Sequence, residues 1–407
     1  MALDNITTFI PPQRILMGPG PSNIHPRVRS AMSEPVIGYM DPVFVEMMAE
    51  LKDLIRYVYQ TDNMLSYPVS GPGSVGMENC FVNLVQPGDT VVVCVNGVFG
   101  GRMVENVIRS GATPVILEGT WGEPVDPNAL EDLLKKTPQA RVVSFVHGET
   151  STGVVSDAKT IAAIAHKYDC LVIVDAVTSL AGVPVKADEW DLDAVYSAGQ
   201  KCLSCTPGLS PSTFSQRAVD FITGRKDKIR SWFMDMTMIL EYWGKTVRTY
   251  HHTAPINGLY ALHEALLMLK EEGLENVWTR HRDNYEALRD GFEAMGLEFL
   301  VKNEADRLPQ ISTVKVPEGV SEPALRQELL KASSIEVGAG LGVFAGKVWR
   351  FGLMGQTSQM GNVLKCLETM EQVLPKLGYP VKPGSAVEAA HKRYAIQHNA
   401  KAAAAAK

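Results

Sequence analysis

Four short runs of this chain are apolar almost throughout: Thr90-Val-Val-Val-Cys-Val95, Pro114-Val-Ile-Leu117, Arg141-Val-Val-Ser-Phe-Val146 and Cys170-Leu-Val-Ile-Val174. A strand with one wet face alternates polar and apolar residues; a strand covered on both faces does not. Helical stretches lie between the runs, such as Asp157–Tyr168 with Ile161, Ile164 and Ala165 on one face. Buried strands alternating with helices predict an α/β fold, a mostly parallel sheet with helices on either side.

The pattern is not uniform along the chain. Residues 1–24 are rich in Pro and Gly and read as an extended N-terminal arm. Asp41-Pro42 then supplies an N-cap and a first-turn proline for a helix carrying Phe44, Met48, Leu51, Ile55 and Val58 on one face. Residues 25–285 are expected to form the large domain, ending in long helices over 257–295. Residues 286–385 read as a smaller α+β domain, its strands and helices ordered strand, strand, helix, strand, strand, helix over 296–378. The alanine-rich residues 386–407 are expected to be a frayed tail.

Composition excludes several classes of function. The net charge is −6 with acids and bases mixed, so no basic block offers phosphate attraction to a nucleic acid. No apolar run has the length of a membrane span, and the N-terminus lacks the pattern of a signal peptide. The six cysteines lie mostly in apolar runs, as buried thiols of a reducing compartment do, so a cytoplasmic protein is expected. Cys202-Leu-Ser-Cys205 is a lone CxxC without a partner pair, and His251 and His252 are adjacent, so their side chains are expected to diverge. No metal site is expected from either.

Ligands of open α/β sheets sit at the C-terminal ends of the parallel strands. Three strand ends carry chemistry here. Val69-Ser-Gly-Pro-Gly-Ser74 runs into a helix, and a glycine-rich turn at a helix N-terminus presents free N–H groups suited to phosphate. Asp175 closes an apolar strand, where a carboxylate is costly without a positive partner. A protonated pyridine nitrogen would be such a partner; a helix cap or a metal ligand are the alternatives. Lys201 follows the next strand in the small-residue loop Ser197-Ala-Gly-Gln, 26 residues after Asp175. That spacing fits a Schiff-base lysine, whose amine must lose its proton to react. In Lys347-Val-Trp-Arg-Phe-Gly-Leu353, Arg350 lies between aromatic residues and needs an anion when buried; a bidentate carboxylate matches its guanidinium.

Taken in order, these and further markers resemble the class V aminotransferases of the fold type I enzymes that use pyridoxal 5′-phosphate, and among them the alanine–glyoxylate and serine–glyoxylate group. The markers are Gly18-Pro-Gly-Pro-Ser-Asn23, Gly97-Val-Phe-Gly100, His147-Gly-Glu-Thr-Ser-Thr-Gly153, Val174-Asp-Ala-Val177, Gln200-Lys201, Pro207-Gly208, Tyr250-His-His-Thr253 and Arg350-Phe-Gly352. The resemblance implies that Lys201 carries the cofactor and shuttles the proton, and that Asp175 pairs with the pyridine nitrogen. It implies that Val177 and Phe99 cover the two ring faces, and that Thr150 reaches the ring hydroxyl or the substrate carboxylate. Gly73, Ser74 and Gln200 would hold the phosphate, completed by Tyr250 and Thr253 from the other subunit of a homodimer. Arg350 would clamp the substrate carboxylate, with a backbone contact from Gly18.

The resemblance implies a transfer of the amino group of alanine or serine to glyoxylate. (S)-ureidoglycine–glyoxylate aminotransferase is the nearest alternative. Two positions depart from the family or vary in it. Pro72 replaces a hydroxyl residue in the phosphate turn, and Tyr39 occupies a variable position near the substrate pocket of the adjacent subunit. A cysteine desulfurase needs a cysteine in a loop before the Arg350 strand, and residues 206–365 contain none. His147 is expected to orient a loop rather than act as a base.

Overall fold

A computed structural model describes residues 7–244 and 248–405. The first six residues of the expected arm and the last two of the expected tail therefore lie outside the described residues. The central sheet, within the described residues, has seven strands. In chain order they are β1 (Leu65–Ser70), β2 (Thr90–Val95), β3 (Thr113–Glu118), β4 (Ala140–Val146), β5 (Leu171–Asp175), β6 (Ala194–Tyr196) and β7 (Leu209–Phe214). Their spatial order is β1-β7-β6-β5-β4-β2-β3. All neighbouring pairs are parallel except those of β7, which runs antiparallel to both β1 and β6.

The helices of the large domain cover this sheet. Asp41 caps α1 (Pro42–Tyr59), its Oδ1 accepting the Val43 N–H at 2.9 Å, and Phe44, Met48, Leu51, Ile55 and Val58 are buried as the spacing predicts. Helices α2 (Gly73–Leu84), α3 (Val98–Arg109) and α4 (Ala158–Lys167) follow β1, β2 and β4. One strand departs from expectation. The run Pro114–Leu117 is not covered on both faces: β3 is an edge strand, and Ile116 is 45% exposed. With a partner on one side only, an edge tolerates Pro114, which has no N–H to donate.

Helix α5 (Ile256–Glu272) turns at Gly273, whose φ of 82° suits glycine, into α6 (Leu274–Ala294). Leu274, Val277 and Trp278 of α6 join the core of the large domain, while Tyr285, Leu288 and Phe292 join a second core. One helix thus braces both hydrophobic clusters. The second is built on a three-stranded antiparallel sheet of β8 (Ile311–Lys315), β9 (Gly338–Ala339) and β10 (Val348–Gly352), with β10 in the middle. Helices α7 (Glu322–Ser333) and α8 (Met360–Val373) complete it. The expected first strand of this region is reduced to a single bridge, Phe299 to Val314.

The C-terminal segment also differs from expectation. Ser385–Ala405 is a helix, α9, rather than a frayed tail. Ala386 and Ala390 are fully buried, Tyr394 donates to Asn284 Oδ1 at 2.7 Å and Arg393 pairs with Asp290 at 2.6 Å. Alanine has the highest helix propensity, and these anchors dock the helix along α6. At the other end, Ile15–Leu16 of the arm pairs with Ile335–Glu336, and Met17 enters the second core. The arm therefore bridges from the small domain back to the sheet.

Candidate active site

Parallel neighbours in register put Asp175 opposite Tyr196 at the C-terminal ends of β5 and β6. The Tyr196 hydroxyl donates to Asp175 Oδ2 at 2.8 Å, and the Val177 N–H donates to Oδ1 at 2.8 Å. Burial raises the Asp175 carboxyl from 3.8 to about 6, against these two donors. Such a carboxylate is fixed in place and short of a positive partner. Tyr196 was not a candidate from sequence. Its signal was there in the alternation: it ends the strand next to Asp175.

Past β6 the chain turns through a loop of small residues. Ser197 Oγ donates to the Ala176 carbonyl at 3.0 Å, tying the loop to the segment after Asp175. Lys201 then points at the arm, where its ammonium bonds the Pro19 carbonyl. A Cβ on Gly20 would lie 2.5 Å from Lys201 Nζ, so this close approach requires glycine there, as does its φ of +101°. Ser22 holds the loop from the other side, its N–H donating to the Gln200 carbonyl at 2.9 Å and its hydroxyl to the Lys201 carbonyl at 2.7 Å. Burial, and then the nearby Arg350, lower the Lys201 amine from 10.5 to about 8. Its neutral, nucleophilic form is therefore accessible near physiological pH.

Asp175, Lys201, Val177, Gln200, Thr150, Phe99, Gly73 and Ser74 border one cavity, together with Pro72, Met77, Arg102 and Tyr196. Pro72 takes the N-cap position of α2 without a side-chain cap bond, so the turn offers the backbone N–H groups of Gly73 and Ser74. A Cβ on Gly73 would sit 3.0 Å from Ala198 and 3.2 Å from Val177, a tight fit that would press on both walls of the cradle. The Gln200 Oε1 is buried without a hydrogen-bond partner among the described residues. A buried carboxylate without an ion-pair partner among the described residues, a lysine of lowered proton affinity and a helix N-terminus with free N–H groups fit pyridoxal 5′-phosphate.

Arg350 reaches the cavity region from the middle strand of the small sheet. It is 5% exposed, its Nε donates to the Ala339 carbonyl at 2.7 Å and Nη1 to the Thr150 carbonyl at 3.2 Å. Burial lowers it from 12.5 to about 10, and Glu149 opposes that shift. Both recorded acceptors are neutral carbonyls, so its charge still calls for an anion. Gly18 lies at the end of the same strand: a Cβ on Gly352 would be 1.8 Å from the Gly18 oxygen. The hydroxyls of Thr150 and Thr178 are in hydrogen-bond contact.

Gly18 and Arg350 do not themselves line this cavity, and Tyr39, Tyr250 and Thr253 stand further apart from the residues that do. Tyr39 and Tyr250 pack ring to ring at 4.7 Å, and the Tyr250 hydroxyl meets Thr253 Oγ1 at 3.3 Å. Tyr250 is 50% exposed. None of the three borders the pocket of its own chain. The two adjacent histidines do not diverge as expected: their Nδ1 atoms are 2.8 Å apart, and His252 Nε2 meets Ser70 Oγ at 3.0 Å. The backbone there is irregular, so side chains do not alternate as in a strand. His147 is buried, pushed by burial to about 4, and meets Ser179 Oγ at 2.9 Å, so it is neutral. Burial pushes the Cys202 thiol up to about 12 and the Cys205 thiol to about 11. No group of metal-ligating side chains occurs among the described residues.

Comparison with known proteins agrees with this chemistry. The family model described as "Aminotransferase class-V" matches residues 42–359. Alanine–glyoxylate aminotransferase of Mus musculus is 39% identical over 365 residues, covering 89% of this chain and 88% of its own. The crystal structure of ureidoglycine–glyoxylate aminotransferase from Bacillus subtilis superposes with a TM-score of 0.92 at 36% identity, covering 95% of this chain and all of that one (100%). That of an alanine–glyoxylate aminotransferase from Nostoc sp. gives 0.89 at 42% identity, covering 92% and 100%.

Proposed function

The chain belongs to the class-V aminotransferase family, and from that premise we propose that it transfers the amino group of alanine or serine to glyoxylate, as a cytosolic homodimer with shared active sites. The observation that supports the reading is that Asp175 and Lys201 border one cavity while Arg350, from the small sheet, bonds the carbonyl of Thr150, another residue of its lining. Pyridoxal 5′-phosphate, when bound, supplies an aldehyde that condenses with amines and a ring that accepts electron density from the adjacent carbon.

Each residue then has a task set by its surroundings. Asp175, held by Tyr196 and Val177, keeps the ring nitrogen protonated, and the ion pair relieves its own burial. Lys201 has an amine near 8, so about a tenth is neutral at pH 7 and able to attack or to take the substrate α-proton. The N–H groups of Gly73 and Ser74 and the Gln200 side chain bind the phosphate, and α2 contributes its positive end. This backbone cradle offsets the hydroxyl that Pro72 lacks. Val177 and Phe99 cover the ring faces. Arg350 grips the substrate carboxylate, with Thr150 and Gly18 beside it, and that grip orients the α-carbon toward Lys201.

Tyr250 and Thr253 serve the pocket of the other protomer in this reading, which accounts for their exposure within one chain. Tyr39, packed on Tyr250, would border the same foreign pocket and tune the donor. The six free cysteines, all buried, support a reducing compartment. Small substrates follow from the cations present. Arg350 takes one carboxylate, while Arg102, the other guanidinium at the cavity, lies over the Phe99 ring at 4.7 Å.

The similarity to the Bacillus subtilis structure over 95% of the chain supports (S)-ureidoglycine as an alternative donor to the same acceptor. A donor panel with glyoxylate as acceptor, scored by glycine formation, separates the two. Turnover with alanine or serine exceeding that with ureidoglycine is expected. Turnover with ureidoglycine alone would select the alternative, and none with glyoxylate as acceptor would refute both.

A further inference from the structure

Glu149 is fully buried, yet no step above uses it. A carboxylate taken out of water is costly unless donors surround it. Its donors come from two directions. Oε1 accepts the Ser151 N–H at 3.0 Å and the Ser151 hydroxyl at 2.6 Å, while Oε2 accepts the Phe99 N–H at 3.2 Å. Ser151 Oγ in turn accepts the Val98 N–H at 3.1 Å. The first N–H groups of α3, orphans in any helix, are thus capped from a distant loop. The local N-cap is Gly97, which has no side chain to do this.

Glycine at 97 is itself a consequence. Its φ of 177° suits any residue, but a Cβ there would lie 2.3 Å from Glu149 Cδ and 2.6 Å from Ser151 Oγ. The helix start gives up its own cap to admit the remote one. On the opposite side, a Cβ at Gly100 would lie 2.8 Å from the Cys94 carbonyl, so the first turn is wedged against the end of β2. A local cap would fix α3 only to itself. The remote one fixes it to the loop whose middle residue, Thr150, accepts from Arg350. Within Glu149-Thr150-Ser151, the outer residues face α3 and the central one borders the cavity.

We propose that Glu149 is a positioning residue: it holds the first turn of α3 so that the Phe99 ring lies flat on the cofactor, and couples that ring through Thr150 to the Arg350 clamp. The proposal rests on the reading of Phe99 as a ring-face residue. Electrostatics adds to the coupling, because the buried charge of Glu149 favours the cationic form of Arg350 without occupying its fork.

The experiment is a double-mutant cycle read on binding rather than turnover. Pyridoxal 5′-phosphate dissociation constants and the visible circular dichroism of the bound cofactor are measured for wild type, Glu149→Gln, Phe99→Ala and the double variant. Glutamine turns a donor toward the Phe99 N–H or toward Ser151. About tenfold weaker binding is expected from that lost charge-assisted bond. In the Phe99→Ala background the same change should cost less than about twofold, since coupled residues are non-additive. Ser151→Ala, the milder variant, should show the same non-additivity if Glu149→Gln folds poorly. Equal loss in both backgrounds, or an unchanged dichroism and affinity in the single variants, overturns the proposal. An unchanged affinity in Phe99→Ala itself refutes the ring-face reading and the proposal with it, whereas additivity refutes the proposal alone.

Discussion

Asp175 and Arg350 are buried and Lys201 half-buried, all three held by hydrogen bonds within one chain, whereas Tyr39, Tyr250 and Thr253 form a small cluster outside their own pocket. Asp175 ends β5 in register with Tyr196 of β6, Lys201 lies in the loop after β6 against the arm, and Arg350 sits inside β10. The second group is drawn from two irregular segments, around Tyr39 and around Tyr250 and Thr253, with half-exposed rings. The contrast separates two kinds of functional residue. The first group has proton affinities shifted by burial within one chain; in the proposed reading the second acts only in the pocket of another protomer.

The largest effect is expected in the buried group. Lys201→Ala should lower transamination by roughly 10⁴-fold, losing both nucleophile and proton carrier, as single-turnover measurements with alanine would read. Survival of the rate would move the chemistry elsewhere. Next is a thermodynamic consequence of burial. The Asp175 carboxyl is 3.8 when free and about 6 in the fold, so the folded state holds its proton more tightly. Its contribution is then present below pH 4 and is lost as pH rises through about 6. Relative to Asp175→Asn, cofactor-free wild type should lose about 2 kcal/mol between pH 4 and 7 in denaturant titrations. A pH-independent difference would mean that Asp175 is solvated.

The surface group is tested by mixing chains. Lys201→Ala combined with the double variant Tyr250→Phe, Thr253→Ala should regain roughly a quarter of intact sites after random re-pairing, because one pocket of each mixed dimer is whole. No recovery, with mixed dimers verified by mass, would place both residues in service of their own chain. The smallest effect belongs to Tyr39. Replacement by Phe should leave the cofactor spectrum unchanged and alter the ratio of kcat/KM values between alanine and serine by about tenfold or less, the reach of one hydrogen bond.

The same contrast explains what the sequence disclosed. Asp175 and Arg350 were readable because charge among apolar residues has few purposes, and Lys201 because it follows the next strand in a small-residue loop, 26 residues after Asp175. Tyr196 escaped because a tyrosine ending an apolar strand looks like packing until its register with Asp175 is known. Glu149 escaped for a related reason: besides neighbouring Ser151, its partner is the backbone N–H of Phe99 in a helix 50 residues away. The edge position of β3 was hidden because an apolar run does not reveal whether anything lies beyond it. Helix α9 was hidden by low complexity, although its alanines favour a helix and Tyr394 and Arg393 anchor it. The contact of His251 with His252 depends on an irregular backbone that periodicity does not encode.

The most direct test of an aminotransferase built on Lys201 and Arg350 is a pair of half-reactions followed by visible absorbance on the purified holoenzyme. Alanine or serine should bleach the cofactor band, and glyoxylate added afterwards should restore it, with Lys201→Ala showing neither change. A band that ignores alanine and serine yet is bleached rapidly by aspartate or glutamate would contradict the assignment.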